Sequence, residues 1–138
     1  MQEPNLLAVL AAGLVPMIVG FLWYGPLFGQ KWMAYVGKTE EEMTAEMNPM
    51  KTYGVTVVMS ILTAYVFAHV LIAFSSATGE TGLLAGLQGG FWMWLGFVFT
   101  TQWNNVGFEG KEVGHWLLDT GASLMNLLVM GVILSLWV

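Results

Sequence analysis

VGHWLLDTGASLMNLLVMGVILSLW, residues 113–137, decides the fold. It is an apolar run longer than the about 20 residues with which an α-helix crosses about 30 Å of hydrocarbon. Asp119 is the one formal charge well inside it. Working back along the chain, three runs of the same kind precede it, at about 5–28, 52–74 and 82–103. Spanning β-strands need only about ten residues of alternating polarity. These runs are twice as long and do not alternate, so the expected fold is all-α. It is an integral membrane bundle of four transmembrane helices in one domain covering residues 1–138, with a short amphipathic or acidic helix in the first loop.

Composition agrees with lipid as the surrounding solvent. Of the 138 residues, 57% are hydrophobic and only 9% charged. A soluble domain carries about 25% charged residues. The chain has no cysteine, which excludes disulfides, thiolate metal sites and cysteine nucleophiles. It has no arginine and four lysines, Lys31, Lys38, Lys51 and Lys111, too few and too scattered to bind nucleic acid. The first run lacks the basic leader of a cleavable signal peptide and is too long for one. Walker, nucleophile-elbow and dinucleotide motifs are missing, and no cofactor is called for.

Two short connections, 75–81 and 104–112, make neighbouring helices antiparallel. The longer first loop contains Thr39-Glu40-Glu41-Glu42, a capping box that predicts a helix over about Glu40–Met47, ended at Asn48-Pro49. Lys31-Trp32-Met33-Ala34-Tyr35 reads as an interfacial segment. All four lysines fall in the first and third loops, on one side of the membrane. The positive-inside rule puts that side in the cytoplasm and both termini outside.

Helices in lipid associate through close packing and hydrogen bonds. Gly82, Gly86 and Gly90 in the third run, Ser60, Ala64 and Ala68 in the second, and Ala8, Ala12, Pro16 and Gly20 in the first mark small-residue faces. They serve as contacts inside the bundle or as a seam between copies, and a homo-oligomer surrounded by membrane lipid is the expected assembly. Pro16 is placed to kink the first helix and Pro26 to bend or end it. Trp92 and Trp94, with Phe91, Phe97 and Phe99, read as bulk packed on the glycines, or as a pocket for an apolar or cationic ligand.

The fourth run carries the polar signal. At about 100° per residue, with Glu112 at 0°, His115, Asp119, Ser123 and Asn126 fall at about 300°, 340°, 20° and 320°. All five share one face, and Met130 continues it. An acid inside a span is costly and marks a candidate site with a partner. His115, one turn from Asp119, is that partner, as a proton relay or as a structural pair. A metal bound by Glu112, His115 and Asp119 would need carboxylates that no other span supplies. Gln102 and Asn104 lie at the depth to hydrogen-bond the stripe, and His69 and Gln88 at a depth to pair with each other.

Three stretches resemble a bacterial membrane family catalogued as domain of unknown function 1761. They are Trp23-Tyr24-Gly25-Pro26-Leu27-Phe28-Gly29 with Trp32-Met33, then Gly37-Lys38-Thr39-Glu40-Glu41-Glu42, and Asn105-Val106-Gly107-Phe108-Glu109-Gly110-Lys111 before a last run ending in Leu127-Leu128-Val129-Met130-Gly131. The resemblance implies a membrane protein of unknown function and supplies no catalytic residues. It draws Glu109 and Lys111 into view as supporting residues. The functional expectation is a small oligomeric transporter or channel for an ion, proton or small solute. The alternatives are an accessory module that binds a membrane partner or lipid, and an enzyme acting on a lipidic substrate. The substrate is not legible.

Overall fold

The computed structural model describes residues 3–46 and 48–137. Among the described residues there are helices and no strands. Four helices are long and apolar enough to cross a membrane: Leu6–Leu27, Pro49–Thr78, Gly82–Gly107 and Val113–Leu136. These first to fourth spans are the expected bundle, with the second longer at both ends than its apolar run. At 30 residues it is about 45 Å long, more than the hydrocarbon needs.

Local chemistry explains where the helices begin, break and end. Asn5 caps the first span, its side-chain oxygen accepting from the backbone N–H groups of Leu7 at 3.0 Å and Ala8 at 3.3 Å. Pro16 cannot donate to the carbonyl one turn back, and the span is split into Leu6–Gly13 and Val15–Leu22. Pro26 sits in a π-turn, Trp23–Leu27, where the Phe28 N–H reaches back five residues to the Trp23 carbonyl at 2.9 Å. The span stops there, as expected of Pro26. The interfacial segment forms a helix over Gly29–Val36, closed by Gly37 at φ 76°. The acidic helix covers Glu40–Glu46, with Thr39 accepting from the Glu42 N–H at 3.1 Å. Its expected last residue, Met47, lies outside the described residues. Asn48-Pro49 opens the second span rather than only closing the acidic helix. Asn48 caps the Lys51 N–H at 3.2 Å and Pro49 takes the first turn, where its missing N–H costs nothing.

The fourth span touches each of the other three. Ala8 and Ala12 of the first span, Ala64 and Ala68 of the second, and Met130 and Leu134 of the fourth are buried together. Ser60 continues the second span's buried face. Against the third span the fourth packs backbone to backbone. A methyl on Gly86 would run into the Gly131 carbonyl, and one on Gly90 would stand 2.7 Å from the Leu127 carbonyl oxygen. Gly82 serves differently. Its φ of 65° turns the chain into the third span, and the nearest atom to a methyl there is Leu136 at 3.9 Å. Gly20, expected on a contact face, borders open space, since a methyl there would meet nothing within 4 Å.

Candidate functional site

Asp119 is the centre of the polar stripe, and its partners come from three separate pieces of chain. His115 Nε2 lies 3.2 Å from Oδ2, on the same helix face one turn earlier. Lys111 Nζ lies 2.5 Å from the same oxygen. Tyr24 donates its hydroxyl to Oδ1 at 2.7 Å, from 95 residues away. The Asp119 and Lys111 side chains are each 21% exposed, so the cluster is open at the lysine-bearing end of the bundle.

Backbone irregularities aim these groups. The π-turn around Pro26 presents Trp23 and Tyr24 together to the fourth span. Trp23 Nε1 donates to the Leu118 carbonyl at 2.9 Å, and its ring lies 3.0 Å from the place a methyl on Gly121 would occupy. Tyr35, on the helix Gly29–Val36, stacks on His115 with ring centres 5.5 Å apart and planes 7° apart. Gly114 makes room for it, since a methyl there would collide with the Tyr35 hydroxyl. Lys111 is turned back by Gly110 at φ 76° and by its own N–H, bonded to the Asn105 carbonyl at 2.9 Å. That turn is what Phe108-Glu109-Gly110-Lys111 builds.

The other stripe residues divide. Ser123 donates to the Asp119 carbonyl at 3.3 Å. Asn126 Oδ1 is buried and accepts no hydrogen bond from the described residues. Glu112 is exposed and caps the fourth span through its backbone conformation alone, apart from the cluster. Among the described residues no group of three His, Asp or Glu side chains is placed to hold a metal ion. Glu109 and Asn104 are exposed, and neither Gln102 nor Asn104 bonds the stripe. A second π-turn, Leu95–Phe99, instead releases the Phe99 carbonyl, which accepts from Trp116 Nε1 at 3.2 Å. Trp94 Nε1 donates to the Thr120 carbonyl at 2.7 Å, whereas Trp92 is 59% exposed and does not pack on the glycines. His69 rests edge-on against Tyr65, with ring centres 4.8 Å apart, and makes no bond to Gln88.

Tyr24, Tyr35 and Trp23 are the site residues that helical periodicity does not find, because they lie far away in sequence. The one sequence signal at Trp23 and Tyr24 is the Trp-Tyr-Gly-Pro motif.

A family model described as protein of unknown function (DUF1761) matches residues 7–135. No curated protein and no solved structure matches the chain.

Proposed function

The chain belongs to the DUF1761 family of proteins of unknown function, and we propose that it is a small transport protein in which Asp119 is the exchange site for a proton or small cation. The observation that carries this is the grip on Asp119. An acid within a span is held by a cation on a loop, a histidine and a hydroxyl, yet stays partly open. A staple for the bundle alone needs no charge, since buried ion pairs can be replaced by apolar packing at little cost. Lys111 then acts as a tethered counter-ion, displaced when a proton or cation takes the carboxylate.

The fourth span supplies a route. Ser123 and Asn126 continue inward from Asp119, and the unpartnered Asn126 oxygen is an acceptor for a guest that donates a hydrogen bond or carries positive charge. Next on the face is Met130, 1% exposed. Beyond it, a cavity of about 420 Å³ reaches from the far end down to Ala8, Leu71 and Leu134. Met130 is thus an apolar plug between two openings. Opening it requires the spans to shift, or copies to meet in a homo-oligomer. We assign the lysine-bearing end to the cytoplasm, both termini to the outside and the protein to the cell membrane, on the positive-inside rule.

Purified protein in liposomes tests this. Imposed proton or cation gradients should dissipate through wild type, and Asp119→Asn should return the rate to that of empty vesicles. Equal flux through both, or none through either, rejects the assignment. The accessory-module reading draws on the same tight Met130 packing, which needs no opening; a heterologous partner cross-linked in native membranes would favour it.

A further inference from the structure

We propose that the groove between the first and second spans binds a lipophilic organic cation. The groove is about 890 Å³ and is roofed by the helix Gly29–Val36 and by Met43 of the acidic helix. Phe21, Tyr24, Trp32 and Tyr53 give it four aromatic rings, and Met17 and Met33 give it adaptable sulfur side chains. Aromatic faces attract cations. Among the described residues its lining contains no charged side chain. The lysines nearest in sequence stand apart: Lys31 lines a separate cavity against Tyr35 and Gly114, and Lys51 is exposed and outside the lining. Glu41 and Glu42 are exposed on the helix that contributes Met43, and Tyr24 carries the hydrogen bond to Asp119 on its far side. The lining runs from Pro16 and Gly20, deep in the first span, to Gln30 and Thr52 at the lysine-bearing end. A ligand entering sideways from the bilayer finds an apolar floor and aromatic walls.

Tyr24 belongs to both places. Its ring lines the groove and its hydroxyl holds Asp119, so a ligand that moves the ring changes the grip on the carboxylate. Joined to the exchange reading, in which Asp119 takes a proton, this names a lipophilic cation as the solute exchanged for it; the binding itself is measured without flux and stands or falls separately.

Two probes of one shape and opposite charge test it: tetraphenylphosphonium and tetraphenylborate, titrated against the intact protein in detergent with Trp fluorescence as readout. The cation should bind about tenfold tighter than the anion, in line with a cation–π contribution. Gly20→Leu should abolish cation binding. Gly20 lines the groove and a Cβ there meets nothing within 4 Å, so the added side chain projects into the site. A melting temperature equal to wild type verifies that this variant is folded. Equal binding of both probes would overturn the proposal and leave an apolar groove filled by lipid. Unchanged cation binding in a folded Gly20→Leu would overturn it too, by placing the probe elsewhere.

Discussion

At the scale of single residues, the Asp119 cluster makes a quantitative claim. Tyr24 and Asp119 are joined by one hydrogen bond to a charged acceptor, a kind that contributes about 1.5–3 kcal/mol. Tyr24→Phe should lower stability in detergent by about that amount, and Asp119→Asn should lower it as well by stranding Lys111 and His115. The double variant should lose less than the sum, with a coupling of about 0.5–3 kcal/mol typical of residues in direct contact. Additive losses in thermal or denaturant unfolding would mean that the bond is not formed in solution. Half of this cluster is legible in the sequence. An aspartate in an apolar run with a histidine one turn away announces itself by cost and periodicity. Tyr24 does not, because nothing local ties it to a residue 95 positions on. Lys111 reads as a topology marker that the family resemblance brings forward as a supporting residue, and the turn at Gly110 shows how its long side chain folds back to the carboxylate.

At the scale of elements, the contact between the third and fourth spans is set by atoms that are absent. Gly86 and Gly131 meet through their backbones, and neither has room for a methyl. Gly86→Ala should therefore force the helices apart and cost about 1–3 kcal/mol, the usual range for overpacking. Gly96→Ala, on the same span with nothing within 4 Å, should be neutral or slightly stabilising. Melting of the two variants in one detergent checks the pair; equal effects would remove the close approach from the account. The small-residue stripe at Gly86 and Gly90 is visible in the sequence, as are the buried Ser60, Ala64 and Ala68. Which stripe meets which is not, because a periodic pattern identifies a face and not its partner. The two π-turns are equally hidden. Apolar residues fill them as they fill regular helix, and only Pro26 gives one of them away. Yet the first aims Tyr24 and the second frees the carbonyl that Trp116 takes.

At the scale of the whole molecule, length and hydropathy make the four-span bundle legible, since lipid leaves a spanning chain few alternatives. The arrangement of openings is not legible, because it depends on how the first, second and fourth spans meet around Met130. That arrangement is the central claim: a polar face from Asp119 to Asn126, an apolar plug, and a cavity beyond. Flux in proteoliposomes tests it most directly when the plug and the carboxylate are altered separately and together. Met130→Ala should raise proton or cation flux above wild type, and Met130→Ala combined with Asp119→Asn should fall to the level of empty vesicles. Flux unchanged by opening Met130, or raised by it equally whether or not Asp119 is present, would contradict the account.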